Sequence, residues 1–441
     1  MRSALAALAT AAALAGCGGA AAIRSAAATS STPLTSTNTT IAASISVVPT
    51  EQASPQTIQL HRSLQRTLDG LGRHVGALVV DLNTGTVLFS RNAGVARAPA
   101  SLEKLYTSVA LLQMLGPSAR LQTTVLGVGH LGAHGVWHGS LYLRGDGDPT
   151  FGDGAWDKFF IGGNGPTAAE LARRLYALGI RRVTGLLYAD ASRFDSRLGG
   201  PATRNAPDIP DYGGEMSALV FDHGATGFGL GPAAFAAHQV AATMSDIGIT
   251  VSAARHTAVT PVDALPLAGV SSPPVSVLLK LMDVPSDDLF ADLLTKQLGY
   301  EALQQGTLAA GTELIRQVLA LRYALHPRLF DGSGLDKADR SSPAQIVSLL
   351  QQLWPTPFGV ILRRALPVVG VSGTVQTIAD HTAAQGRCVA KTGTLDYVTN
   401  LAGYCSARNG HTLAFALMLD GPSNWQAFGP LGRMVAAVAS Y

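Results

Sequence analysis

Leu60, Leu64 and Leu68 recur every fourth position, with Ile58 on the same side, and this spacing predicts a helix beginning near Thr57. Residues 18 to 56 ahead of it are mostly Ala, Ser and Thr with few large apolar side chains, a composition that cannot build a core and reads as a tether. Between 75 and 89 two apolar runs, Gly76-Ala77-Leu78-Val79-Val80-Asp81 and Val87-Leu88-Phe89, flank Asn83-Thr84-Gly85, the chemistry of a tight hairpin turn. Leu102, Leu105, Val109 and Leu112 then place an apolar face on a helix over 101–115, which Gly116-Pro117 ends. From about 120 to 274 the texture changes to short strands, such as 123–128, 140–144 and 183–189, with helical spacing at 166–178. Helical spacing dominates 274–298, strands return over 387–419, and an apolar helix closes the pattern at 425–440. A β-rich insertion between two parts of one domain explains this order better than tandem domains do. The expected division is 57–119 and 275–441 for the split domain and 120–274 for the insertion.

Composition bounds the partners. With 441 residues, 47% of them hydrophobic, the chain can bury a sizeable core. A formal charge of +3, from 32 basic and 29 acidic residues scattered along the chain, gives no reason to expect a nucleic-acid partner. Residues 1–17 carry Arg2, an Ala/Leu run and Leu14-Ala15-Gly16-Cys17, a leader too short to span a membrane. Its ending resembles the bacterial lipobox, which implies cleavage before Cys17 and lipidation of that thiol; an ordinary secretory leader with an incidental cysteine is the alternative. No later run reaches the ~18 apolar residues of a membrane span, so the protein is expected to be exported and anchored by lipid to the outer face of the cytoplasmic membrane or the periplasmic side. Cys388 and Cys405 remain, in two strand-like runs, either bridged across a hairpin or as two buried thiols.

Lysine occurs only at positions 104, 158, 280, 296, 337 and 391, and only Lys104 has a serine three residues before it. In Ser101-Leu102-Glu103-Lys104 that spacing puts hydroxyl and amine on one helix face. A serine hydroxyl needs a base to take its proton, and an amine serves if burial or a nearby cation lowers its pKa. The free N–H groups of a helix start can also stabilise an oxyanion. The distal Lys391-Thr392-Gly393-Thr394 supplies a second cation, which would depress Lys104, together with hydroxyls for a carboxylate, a glycine for close approach and an N–H donor at Thr394. Each motif alone is weak; the ordered pair matches a serine acyltransferase signature.

With Gly145-Asp146-Gly147-Asp148-Pro149-Thr150, Pro285-Ser286-Asp287-Asp288-Leu289-Phe290-Ala291 and Asp331-Gly332-Ser333-Gly334-Leu335 added, the chain from about residue 59 resembles the class C low-molecular-mass penicillin-binding proteins, which are D-alanyl-D-alanine carboxypeptidases and endopeptidases. The resemblance implies an α/β (α+β) serine β-lactamase/transpeptidase-like domain built from both chain ends, with inserted β-rich domains. It implies Ser101 as nucleophile, Lys104 as base, and peptidoglycan stem peptides and β-lactams as partners. The family's Ser-x-Asn motif falls on Ser286-Asp287-Asp288, where Ser286 would relay a proton. Asp288 replaces the amide: a carboxylate accepts but cannot donate, and its charge would keep Lys104 protonated. A weakened enzyme acting as a binding or scaffold lipoprotein is therefore a second reading, and a β-lactamase or esterase on the same fold a third. Ser286 could also merely cap a helix.

Other candidates read as structural. Ser333 is flanked by Gly332 and Gly334 but has Asp331 and Leu335 where the Gly-x-Ser-x-Gly of a nucleophile elbow needs glycines, and Asp146 and Asp148 suit a turn closing a hairpin. His130, His134 and His138 are interrupted by glycines and read as exposed hairpin positions. No zinc spacing, phosphate loop or cofactor fingerprint occurs, so neither metal nor cofactor is expected.

Overall fold

The computed structural model describes residues 54–207 and 212–441, so Cys17 and most of the tether lie outside the described residues. Ser54 caps α1 (Pro55–Asp69) by accepting from the Thr57 N–H at 3.1 Å, and the Leu60/Leu64/Leu68 stripe is buried. The hairpin of β1 (Val75–Asp81) and β2 (Val87–Arg91) follows. A 3-10 turn, Ala100–Glu103, leads into α2 (Lys104–Met114). Ser101 thus sits in the turn rather than in the α-helix, and α2 is buried on all sides from Lys104 to Leu112 instead of showing one apolar face.

Next come β3 (Gln122–Leu131), β4 (Val136–Gly145), α3 (Gly154–Phe160), α4 (Ala168–Ala177), β5 (Arg182–Asp190), α5 (Pro232–Ile247), β6 (Thr250–Thr257) and β7 (Leu265–Ser271). The remainder comprises α6 (Val275–Asp283), α7 (Asp288–Leu303), α8 (Leu308–Tyr323), α9 (Pro343–Leu353), α10 (Pro357–Ala365), β8 (Cys388–Leu395), β9 (Val398–Ser406), β10 (Thr412–Asp420) and α11 (Asn424–Ala439).

The first sheet, in the order β2-β1-β10-β9-β8, joins strands from both ends of the chain. Alternation along each strand feeds two cores. Val75, Ala77, Val79, Phe415 and Leu417 face α1 and α11, whereas Leu78, Val80, Ala414, Ala416 and Met418 face the cluster formed by α2 and α6 to α10. The second sheet, in the order β6-β5-β4-β3-β7, is drawn wholly from 122–271 and is mixed, with β4-β5 and β5-β6 parallel. Parallel neighbours need crossovers, and α4 and α5 supply them while packing Leu171, Leu175, Val240 and Met244 into that sheet's core. The strand-rich texture of 120–274 therefore omits α5, whose alanine run carries little helical periodicity. Gly145 to Thr150 does not close a hairpin: it leaves β4 toward a crossover, and Asp148 Oδ1 accepts from the N–H and hydroxyl of Thr150 at 2.8 and 2.5 Å.

Cys388 and Cys405 lie directly opposite each other on β8 and β9 and are disulfide-bonded. Replacing both with alanine is expected to lower stability by roughly 3 kcal/mol, through the loop freed in the unfolded chain. Denaturant unfolding of the double variant beside the oxidised parent measures this.

Candidate active site

The turn carrying Ser101 is clamped from two sides. Asn400, buried on β9, donates through Nδ2 to the carbonyls of Ala98 and Pro99 at 3.0 and 2.9 Å. A side chain at Gly393 of β8 would place its Cβ 2.4 Å from the Pro99 carbonyl oxygen, so the glycine's clear purpose is contact between strand and turn. Opposite, a Cβ on Gly334, whose φ is +85°, would fall 2.0 Å from the Ala100 carbonyl oxygen. Ala100 itself has φ +48°, an unusual conformation for a residue with a side chain, held where the turn meets Ser101.

Lys104 is fully buried, and its Nζ donates to Ser101 Oγ at 3.0 Å, to the Ser333 carbonyl at 2.8 Å and to Asp288 Oδ1. Lys391, also fully buried, donates to Ser286 Oγ at 2.6 Å and to its neighbour's carbonyl, Thr392 O, at 3.1 Å. One short turn between α6 and α7 thus serves both amines, Ser286 receiving one and Asp288 the other. Ser286 lies in the left-handed region at φ +66°, and Asp287, not Ser286, caps α7 by accepting from the Phe290 N–H at 2.9 Å. Thr392 is buried and pairs with Thr374 through their hydroxyls at 2.8 Å, whereas Thr394 is exposed.

Burial first, then the ammonium of Lys104, lowers Lys391 to about 7, against the opposing pull of Asp283 and Asp288. Two amines in one buried site titrate as a pair, so one proton leaves the pair near neutrality. Asp283, buried behind them, is itself pushed up to about 7 by desolvation, offset by Lys391, the Ser108 hydroxyl at 2.9 Å and Lys104.

A cleft of about 670 Å³ opens over this group, lined by Ser101, Asp288, Thr394, Asp336, Lys337 and Asn424. A roomier groove of about 1370 Å³ beside α1 and α11 is lined by none of Ser101, Lys104, Ser286, Asp288 or Lys391, so size alone does not mark the site. Ser333 contributes its carbonyl rather than its hydroxyl. His130 and His138 stack across β3 and β4 with centroids 5.3 Å apart, and His134 sits in the connecting turn.

Sequence reasoning missed Asn400, Asp283 and two contacts from the 120–274 segment. His223 Nε2 meets Asp287 Oδ2 at 2.7 Å, and Tyr212 donates to Asp292 at 2.5 Å. Burial lowers the His223 pKa, but Asp287 outweighs it and the net shift is upward. Neither contact leaves a local pattern, because the partners are far apart in the chain.

The chain matches the model of the D-Ala-D-Ala carboxypeptidase 3 (S13) family over residues 56–232 and 230–436. It is 28% identical to a D-alanyl-D-alanine carboxypeptidase of Actinomadura sp. (strain R39), covering 83% of this chain and 81% of that protein. It is also 28% identical to the carboxypeptidase DacB of Mycolicibacterium smegmatis, over 80% and 77% of the two chains. The structure of penicillin-binding protein 4 from Haemophilus influenzae superposes with a TM-score of 0.71 at 20% identity, covering 86% of this chain and 99% of that one, and so shares the fold. A family model matched along nearly all of both sheets, on a fold with both chain ends in one sheet, makes this chain a member of the D-Ala-D-Ala carboxypeptidase 3 (S13) family.

Proposed function

We propose that this chain releases terminal D-alanine from peptidoglycan stem peptides through an acyl-enzyme on Ser101, and that penicillins acylate the same hydroxyl. The observation that carries this reading is Lys104 Nζ, 3.0 Å from Ser101 Oγ at a clamped turn on the cleft wall. Ser101 Oγ attacks the carbonyl carbon before the last D-alanine, and its proton passes to the lysine pair. The backbone N–H groups of Ser101 and Thr394 receive the oxyanion. Ser286, bonded to Lys391, returns a proton to the departing amine, and water then cleaves the ester. Thr394, exposed in the cleft, suits contact with the substrate's carboxylate, with Thr392 behind it. Lys391 is buried against Ser286, which favours action on that carboxylate by charge rather than by direct contact.

Segments 57–119 and 275–441 would form the acyltransferase domain, with 120–274 as its insertion. Leader 1–17 and lipidated Cys17 would hold the enzyme at the outer face of the cytoplasmic membrane or the periplasmic side. Among the described residues no helix is long and apolar enough to cross a membrane.

Asp288 favours a slow enzyme. Its carboxylate takes the Lys104 ammonium and stabilises the protonated form, which is no base.

Ser101→Ala is expected to remove covalent penicillin labelling and to cut D-alanine release by at least ~10⁴-fold. Mass spectrometry of the intact protein decides it, since a labelled variant would mean another nucleophile. Asp288→Asn should raise the acylation rate by up to about tenfold well below neutral pH, where both amines are protonated, and change it little on the plateau above, because one carboxylate fewer favours the free amine; stopped-flow acylation reads this directly. The pH profile follows from the lysine pair. Below about 7 both amines are protonated and the acylation rate should fall tenfold per pH unit, with a plateau above. A flat profile from pH 5 to 9, a window of roughly two units on either side, would contradict the shared proton.

A further inference from the structure

Glu103 stands between the serine and the lysine of the nucleophile turn, yet none of its surface is exposed and neither of its carboxylate oxygens has a hydrogen-bond donor. One oxygen each from Glu103, Asp331 and Asp339 lie within 4.8 Å of one another, and all three residues are fully buried. Asp339 Oδ2 also lacks a donor, while its Oδ1 accepts from the Phe330 N–H at 2.7 Å. Asp331 is held in place by the N–H groups of Ser333, Gly334 and Asp336 at 3.1, 2.6 and 2.8 Å. Among the described residues no lysine, arginine or histidine pairs with any of the three carboxylates; Lys104 is committed to Ser101, Asp288 and the Ser333 carbonyl.

Buried carboxylates without compensation are strongly disfavoured, so something positive must enter the cluster. A proton is the first option. Shared between Glu103 and Asp339, it satisfies one oxygen of each and leaves the other Glu103 oxygen without a partner. A metal ion satisfies both Glu103 oxygens and Asp339 Oδ2 at once. Burial first, and the neighbouring carboxylates second, push Glu103 and Asp339 upward, Asp339 to about 9, as expected of acids that lack their counter-charge.

We propose that Glu103, Asp331 and Asp339 bind a hard divalent cation that fastens the Ser101 turn to the 331–339 loop. Oxygens about 2.3–2.6 Å from Ca²⁺ lie up to about 5 Å apart across the ion, against about 4 Å for Mg²⁺. The three carboxylates are fully buried, and Ca²⁺ accepts an all-oxygen protein cage where Mg²⁺ usually keeps several waters, which favours the larger ion. The bound ion would position rather than react: one ligand, Glu103, flanks Lys104, and the same loop presents the Ser333 carbonyl that orients the Lys104 amine.

The test uses the full chain, dialysed against EDTA and then titrated with CaCl2 or MgCl2, with metal content counted after gel filtration. One ion retained per chain and a Tm several degrees higher with calcium are expected. Glu103→Gln and Asp339→Asn should each weaken retention at least tenfold, and the metal-free protein should acylate more slowly. Metal content and Tm do not depend on the assignment of Ser101, so this site and the proposed mechanism fail separately. No retained ion and an unmoved Tm with both cations would overturn the site, whatever the variants do.

Discussion

Two lysine ammonium groups are buried against one serine turn, and most of the surrounding structure answers the cost of that burial. A desolvated ammonium is tolerated only with acceptors around it or with its proton given up. Lys104 receives a hydroxyl, a carbonyl and the Asp288 carboxylate; Lys391 receives Ser286 and the Thr392 carbonyl, and part of its charge is relinquished. Asp283 adds a second carboxyl behind the pair. The desolvation, and after it the repulsion, that make this arrangement expensive also lower Lys391 toward neutrality.

Legibility in the sequence followed the range of the interactions. The α1 stripe, the β1-β2 hairpin and the return of strands over 387–419 are set by local periodicity and turn residues, and all could be read in advance. The spacing of Ser101 and Lys104 was equally local. By contrast, α5 is so rich in alanine that periodicity hardly distinguishes its faces, and α2 is buried all round, so a one-sided apolar pattern misdescribed it. The left-handed conformation of Ser286 and the role of Asn400 depend on strands and helices remote in sequence, and no residue pattern near either announces them.

The 120–274 segment is more than an appendage on the first sheet. Tyr212, Met216 and Val220 share a buried cluster with Leu289 and Leu293 of α7, while His223 bonds to its cap, Asp287, and Tyr212 to Asp292 within it. Since α7 begins at Asp288, packing between the two parts of the molecule helps fix where the Ser286 hydroxyl and Asp288 carboxylate point. Changes in that segment can therefore reach the turn that bonds both lysines.

The strand carrying Lys391 is made long after Ser101 and Lys104, with the whole second sheet and α6 to α10 between them. During synthesis the hydroxyl therefore exists, until β8 is made, without that strand to press on its turn and without the second amine beside Lys104. A nascent or prematurely ended polypeptide would carry an inert serine, and reactivity would arrive only when the two ends of the chain close into one sheet.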